Sequence, residues 1–416
     1  MIDPAPSTDV LIAGGSFAGL ALAAALAHES GGDLSITVVS PSFPPLDQSA
    51  VGIRASALSR GSLHLLDHLG LWTTLAPDAQ PVSAIELTDS SLDDAVRPTR
   101  LRYDLGEVTS DASLPADVPK MVIVENHYLG AALHNAARIA KRVSLFDNVS
   151  IINFTPDADH VAARLSNGQT LTARLLVAAD GSRSRLRAHA NIRTLEQPYN
   201  QTGIIAMVEP ELPHEGRAIQ HFLPAGPFAL LPMTGNRMCI TWTESSGEAQ
   251  RVLALNALAF RAEVEKRFGH YLGTLRTISP PHAWPLHLCI ARTLIAPRFA
   301  LIGDAAHTVH PIAGQGLNLG LRDVAALTEC IIDTARLGLD IGQMTPLRRY
   351  ERWRRFDNFA SAAGFDALNR LFATTSTLAR SARGAALGIA DNLPGLKSWL
   401  IEEAGGDHGD RPRLLR

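Results

Sequence analysis

Cysteine is scarce in this chain: Cys239, Cys289 and Cys330 lie far apart, with no Cys-x-x-Cys pair among them. That spacing excludes a disulfide framework, a cysteine-based zinc site and a dithiol redox centre, and it fits a reducing cytoplasm. Neither sign of charge is in excess. Lys and Arg number 38 against 41 Asp and Glu, a net charge of −3, so no global field draws the chain to nucleic acid. Long hydrophobic runs are missing too. The apolar stretch Val10 to Ala27 is interrupted by glycines and preceded by Asp3 and Asp9 instead of a basic segment, unlike a signal peptide. No other run approaches the roughly 18 apolar residues of a membrane span. The expected location is cytoplasmic, with peripheral attachment to the inner face of the cell membrane as the alternative. With 46% apolar and 19% charged residues over 416 positions, the chain reads as an ordinary globular protein of two interleaved domains.

What is present begins with a βαβ unit. Asp9 to Ala13 reads as a buried strand, Gly14-Gly15-Ser16-Phe17-Ala18-Gly19 as a turn, Leu20 to His28 as a helix and Leu34 to Val39 as a second strand. In this pattern Gly14 permits the tight turn, Gly19 lets the helix approach the sheet, and the amides at the helix start can hold a pyrophosphate. There are two departures from the usual fingerprint. Ser16 stands at the middle glycine position, and the second strand ends in Ser40, where an acidic residue usually holds the ribose. Either Ser40 binds the ribose more weakly or Asp47 reaches in to it. Alone, the unit leaves FAD and NAD equally open.

Further along, Arg54-Ala-Ser-Ala-Leu-Ser59 leads into a helix ending near Trp72, with Arg54 either a cofactor contact or a solvated helix-start arginine. Met121 to His127 is a strand entering the helix Tyr128 to Ile139, where Glu125 or Asn126 is either a cofactor contact or a helix cap. Val161 to Leu165 and Gln169 to Val177 form a hairpin about an Asn-Gly turn. The hairpin runs into Asp180-Gly181-Ser182-Arg183-Ser184. The densest block is Phe299-Ala-Leu-Ile-Gly303-Asp304-Ala-Ala-His307-Thr-Val-His310-Pro311-Ile-Ala-Gly314-Gln315-Gly316-Leu317-Asn318. It reads as a strand, a Gly-Asp turn, a loop and then a helix from about Leu317. Asp304 falls at a strand's carboxyl end, where α/β sheets bind ligands, and the helix behind Gly316 offers free N–H groups and a positive dipole end. That combination is a seat for an anionic ring and a polyol.

These motifs resemble those of the FAD-dependent aromatic hydroxylases related to p-hydroxybenzoate hydroxylase. Arg54-Ala-Ser-Ala-Leu-Ser, His307-Thr-Val-His-Pro-Ile-Ala-Gly-Gln-Gly-Leu-Asn, Arg348-Arg-Tyr-Glu-Arg-Trp-Arg-Arg355 and Leu368-Asn-Arg-Leu-Phe372 are similar to the ubiquinone-biosynthesis hydroxylases in particular. His127 departs from that pattern, which often has arginine there. The resemblance implies an α/β fold, a Rossmann-like FAD-binding domain interleaved with an antiparallel-sheet substrate domain and followed by a helical C-terminal region. The corresponding boundaries are 1–75, 100–190 and 285–345 for the FAD domain, 76–99 and 191–284 for the substrate domain, and 346–416 for the C-terminal helices. It implies FAD contacts at Gly14 to Gly19, Ser40, Arg54, Glu125, Asp180, Gly181, Gly303, Asp304, Pro311 and Gly314 to Asn318. No metal is expected. Arg183 or Arg185 would meet the pyrophosphate of NAD(P)H, a transient reductant with no domain of its own.

By the same resemblance the reaction is hydroxylation of the aromatic ring of a polyprenylated ubiquinone precursor with O2, through a flavin hydroperoxide. The fifteen histidines give no basis for choosing a general base. The nearest thing to a catalytic element is the loop carrying Pro311, Gly314 and Gly316. Two alternatives stay open: a hydroxylase of a small soluble phenol, and a non-catalytic flavin-bound subunit of a biosynthetic complex.

Between about Leu195 and Trp284 the alternation predicts short antiparallel strands and one helix, Ala249 to Phe268. Phe222, Phe228, Leu230, Pro232 and Trp242 there are candidates for an apolar pocket or for core. The basic stretch Leu347 to Arg355, with Arg380, Arg383 and Lys397 beyond, reads either as a lipid-facing amphipathic surface or as a solvated face. Other ubiquinone-biosynthesis enzymes are candidate partners.

Overall fold

A computed structural model describes residues 7–47, 54–89, 92, 98–105, 118–223, 225–269, 272–277, 279–311, 314–373 and 411–416. The chain opens with β1 (Thr8–Ala13), α1 (Phe17–Glu29) and β2 (Ile36–Val39). It continues through β3 (Ala55–Ser59), α2 (Arg60–His68), α3 (Trp72–Leu75), β4 (Ala79–Pro81), β5 (Ala84–Asp89) and β6 (Thr99–Asp104). β7 (Met121–Glu125) enters α4 (Asn126–Ile139), and β8 (Val143–Phe146), β9 (Ile151–Pro156), β10 (Val161–Leu165), β11 (Thr170–Ala178) and α5 (Arg185–His189) follow.

β1 lies between β2 and β11, all parallel, with β8 beyond β2. These strands are apolar runs because both faces are covered, a consequence of parallel order. On one face α1 packs against α8 (Gln315–Arg336) and α4, its Ala/Leu surface buried on nearly every side. β18 (Ile295–Ala296) and β19 (Phe299–Leu301) complete the sheet, with β19 parallel to β11. The ends of β1, β11 and β19 thus point the same way, and the three glycine-rich turns of the sequence meet there.

Among the described residues, the second sheet has nine strands. β12 (Thr194–Pro210) is its long central member, flanked by β15 (Arg237–Ser245) and β17 (His282–Ala291). β13 (Arg217–Leu223), β14 (Gly226–Met233), β5 and β6 extend it on one side, and β16 (Leu275–Thr277) and β20 (His307–Thr308) pair on the other. A third sheet, β3-β7-β4, faces it. The pairings differ from the expected domain boundaries. β6 must share a sheet with its antiparallel partner β5, so that sheet runs past residue 99. β4 pairs with β7, and β17 carries the large sheet on to Ala291.

The single helix expected over 249–268 is two, α6 (Ser246–Leu253) and α7 (Ala257–Phe268). Asn256 breaks the run: its side-chain oxygen accepts the N–H of Ala259 and starts a new helix.

α9 (Met344–Ala373) packs on α8. Its basic run divides by helical periodicity. Leu347, Tyr350 and Arg354 are buried while Arg348, Arg352 and Arg355 are exposed. Residues 411–416 return to the core, with Leu414 and Leu415 buried against α2 and α8. Arg380, Arg383, Lys397 and the stretch 393–400 lie outside the described residues. Among the described residues, no helix is long and apolar enough to cross a membrane.

Candidate flavin site

The first turn is built around glycines that no other residue could replace without moving backbone. Gly14 has φ of +113°, and a Cβ there would lie 2.2 Å from the carbonyl oxygen of Ala179. A Cβ on Gly19 would come within 1.9 Å of the Gly14 carbonyl oxygen. Strand end, helix start and the neighbouring strand therefore close to backbone contact. Ser16, at the N-cap of α1, makes no side-chain cap, and the first turn holds no acidic residue. The free N–H groups and the dipole are left available to an anion. The Ser40 hydroxyl donates to the carbonyl of Ser42 at 2.5 Å, turning the chain after β2.

Asp180 sits at the end of the next strand but one. Its Oδ2 accepts the N–H groups of Arg185 and Leu186 at 3.1 and 3.4 Å, while its Oδ1 is buried with no partner. Leaving a buried carboxylate oxygen unpaired costs about 1–3 kcal/mol or more, so a bound hydroxyl or N–H group would repair it. Gly181 follows at φ +85°. Arg187, buried, donates to the carbonyls of Ala305 and Ser182 at 2.8 and 3.0 Å, tying this turn to the Gly303-Asp304 turn. Arg183 and Arg185 are exposed.

At the third strand end Gly303 has φ of +59°, and α8 crosses so close that a Cβ on Gly320 would lie 3.3 Å from the Gly303 Cα. Asp304 points outward and is open to solvent. The walls crowding it still push its carboxyl above the ordinary value, a burial effect that His307 and His287 only partly offset. Gly314, left-handed at φ +64°, caps α8. Gly316 faces open space, with nothing within 4 Å of where its Cβ would be. Pro311 is half-buried and Gln315 buried. Asn318, in contrast, is fully committed to protein. It accepts from the N–H of Ser59 and the hydroxyl of Ser62 and donates to the carbonyl of Ala57, pinning the start of α8 to β3 and α2. Its side chain is thus a strut behind the cleft.

Two expected contacts lie at the border of the large sheet. Glu125 is buried and accepts from Arg237 of β15 at 2.6 Å, so its carboxylate joins the small sheet to the large one. Arg54 is exposed, its guanidinium 4.4 Å above the ring of Trp284.

Behind the cleft lies a buried network that none of the sequence motifs marks. The Oδ2 of Asp323 accepts the Gly303 N–H at 3.0 Å and lies 2.5 Å from His307 Nε2. Its Oδ1 accepts from Arg354 Nε at 2.8 Å and Asn358 Nδ2 at 3.2 Å. Burial alone would raise the Asp323 carboxyl, but His307 and Arg354 outweigh it and bring the pKa down to about 2. Tyr350 of α9 donates to the Leu301 carbonyl at 2.7 Å. His310, next to Pro311, is wholly buried with both ring nitrogens unpartnered. Burial pushes it down to about 4, so the ring is neutral, edge-on to Tyr199 at 5.1 Å.

The large sheet presents two different faces. Ile204, Ala206, Val208, Phe228, Leu230, Met238, Ile240 and Trp242 pack under α6 and α7, forming core on the far side. Ile205, Met207, Cys239, Met233 and Ala218 face Ala57, Met121 and Ile123 of the small sheet. By alternation, Gln220 and Thr241 share this second face, and the register aligns Gln220, Ala229, Thr241 and Ile205 across four strands. Ala229, Leu231 and Thr241 are only half-buried. This face, not that of Phe228, Leu230 and Trp242, is the one turned toward the small sheet.

The donor set fits FAD. Glycine backbone and uncapped amides at α1 suit a pyrophosphate, the spare oxygen of Asp180 and the outward Asp304 suit hydroxyls, and the uncapped α8 N-terminus suits an anionic ring edge. A cleft so lined, above a half-open apolar sheet face, is that of a flavoprotein monooxygenase. The profile of the FAD binding domain family matches residues 7–338. The chain is 40% identical to the ubiquinone hydroxylase UbiL of Rhodospirillum rubrum, over 98% of this chain and 92% of that protein. It is 30% identical to the 3-demethoxyubiquinol 3-hydroxylase of Escherichia coli, over 95% of this chain and 98% of that one. Among solved structures, p-nitrophenol 4-monooxygenase PnpA of Pseudomonas putida superposes with a TM-score of 0.78 at 18% identity, covering 97% and 99% of the two chains, which shows the shared fold. The chain belongs to the FAD binding domain family and, within it, to the group of ubiquinone-biosynthesis hydroxylases.

Proposed function

We propose that this enzyme hydroxylates the aromatic ring of a polyprenylated ubiquinone precursor, using FAD, O2 and NAD(P)H. The observation that carries the reading is likeness over whole chains: the 40% identity to a ubiquinone hydroxylase spans 98% of the sequence, substrate sheet included. Bound FAD supplies the reductive and oxygen chemistry. The chain's own residues bind, orient and exclude water. The α1 amides and the Asp180 and Asp304 carboxylates hold the cofactor. The α8 N-terminus, with no acidic residue in its first turn, places N–H dipoles where negative charge on the ring is stabilised. The face bearing Ile205, Leu231, Ala229, Thr241 and Gln220 offers an apolar floor with two polar groups, suited to a phenol with a hydrocarbon tail.

Mass spectrometry of quinone lipids in cells lacking this chain tests the reading. Accumulation of a prenylated phenol short of one ring oxygen, with ubiquinone lost, is the expected result. An unchanged ubiquinone pool, with no redundant hydroxylase in the genome, would shift the substrate to a small soluble phenol.

Such a precursor resides in a bilayer, and α9 carries a surface suited to one. Arg348, Arg352, Arg355, Phe356 and Phe359 recur at helical spacing and are exposed, Phe356 by 77% and Phe359 by 56%. Arginines near an anionic surface contribute about 1 kcal/mol each, and the phenylalanines add apolar insertion. Sedimentation with phosphatidylglycerol vesicles is expected to carry the protein down at low salt. The Phe356→Ser/Phe359→Ser variant, or vesicles of phosphatidylcholine alone, should leave it in solution. Equal sedimentation of variant and wild type would remove α9 as the docking surface.

A further inference from the structure

Three helices end at one place on the surface far from the cleft. α1 ends at Glu29, α2 at His68 and α8 at Arg336. α1 alone runs 13 residues from the glycine turn, which puts its end about 20 Å away. There His68 Nε2 lies 2.8 Å and His28 Nδ1 3.4 Å from the same oxygen, Oε1 of Glu29. The two imidazoles meet edge to face, 5.1 Å between centroids at 69°. One donor atom from each of the three residues lies within 4.8 Å of the other two.

We propose that His28, Glu29 and His68 form a binding site for a divalent transition metal, zinc being the reference ion. The donor chemistry is that of borderline metals: two imidazole nitrogens and a carboxylate, with zinc–ligand distances of about 2.0–2.2 Å. Convergence of the two ring nitrogens on one carboxylate oxygen brings all three ligands to one side of a common centre, so small side-chain rotations suffice to close them on an ion. The setting favours a cation, because the ligands sit at the C-terminal ends of α1 and α2, the negative ends of the helix dipoles. Arg336 does not occupy the position. Its guanidinium donates to the Glu29 backbone carbonyl at 3.3 Å and lies 3.9 Å from Oε2, on the carboxylate oxygen away from the imidazoles. His28 and His68 are about half exposed, at 50% and 46%, leaving the fourth coordination position to solvent. A bound ion would clamp the ends of α1 and α2 together on the outer side of the FAD domain.

Calorimetric titration of zinc chloride into the chelator-treated, FAD-loaded protein near pH 7.5 tests the site, with the flavin spectrum as the check that the fold is intact. Wild type should bind one zinc ion saturably, and His28→Ala or His68→Ala should weaken binding by roughly tenfold or more. Zinc should raise the thermal midpoint of wild type and not of the His28→Ala/His68→Ala double variant. Absence of saturable binding below about 1 mM, or unchanged affinity in the double variant, would overturn the assignment.

Discussion

Asp323→Ala is expected to destabilise the enzyme by about 3–5 kcal/mol, since removing one partner of a buried ion pair strands the other. Arg354 is 2% exposed and its Nε has Asp323 for an acceptor. Without the carboxylate, a guanidinium stays in the core with Asp357 and Asn358 alone. The damage should also reach the cofactor, because the same carboxylate holds the Gly303 N–H and so fixes the turn that carries Asp304. Both a lowered thermal midpoint and weakened FAD retention are therefore expected, and Asp323→Asn, which keeps one oxygen acceptor, should fall between. The pH dependence has a definite sign. The folded pKa is near 2 against an ordinary 3.8, so the ionised group stabilises the fold fully above about pH 4, and that contribution fades as pH falls toward 2. Asp323→Ala should flatten this part of the acid-unfolding curve. A variant with wild-type midpoint and acid profile would show that the network carries no stability.

How much of this was legible in the sequence depends on the range of the interaction. The βαβ unit, the 161–177 hairpin and the strand-loop-helix at Gly303 were readable because periodicity and turn residues are local signals. They fall within a few residues of β1, α1, β2, β10, β11, β19 and α8. Side-chain direction on the second sheet was not readable in the same way. Phe228, Leu230 and Trp242 suit a pocket or a core equally well by sequence, and α6 and α7 cover them, which makes them core. Alternation defines two faces without saying which one a helix will cover. The run Leu347–Arg355 misleads differently. Composition reads it as a basic surface, while Arg354 is drawn inward by Asp323, 31 residues earlier, and Arg349, still exposed, pairs with Glu329 and Asp333 of α8. Partners so distant leave no mark on local composition. Asn318 was legible as part of the motif but not as a strut, because its partners Ala57, Ser59 and Ser62 come from the other end of the chain.

Asp304→Ala is expected to cost FAD affinity roughly 10- to 100-fold, the range for hydrogen bonds to a charged group, and to do so without loss of stability in the apoprotein. The way Asp304 is held explains both effects. It is solvent-open at a strand's carboxyl end, and crowding by the cleft raises its pKa against the weaker pull of His307 and His287. A group whose folded pKa is raised above its unfolded value favours the fold only while protonated, at acidic pH. Through the neutral range its ionised form is a small burden on the protein without ligand. Such a burden makes sense for a carboxylate kept to accept ligand hydroxyls, as local strain is kept at sites of function. Removing the charge should therefore leave the apoprotein midpoint unchanged or slightly raised, while the holoprotein loses most of the stabilisation that FAD confers. Fluorescence titration of apoprotein with FAD and paired thermal melts with and without it separate the two terms. Asp323→Ala should lower both melts, whereas Asp304→Ala should lower only the melt with FAD. If Asp304→Ala keeps the yellow colour and wild-type affinity, the carboxylate is not a cofactor ligand, and the role passes to Asp180 with its unpaired buried oxygen.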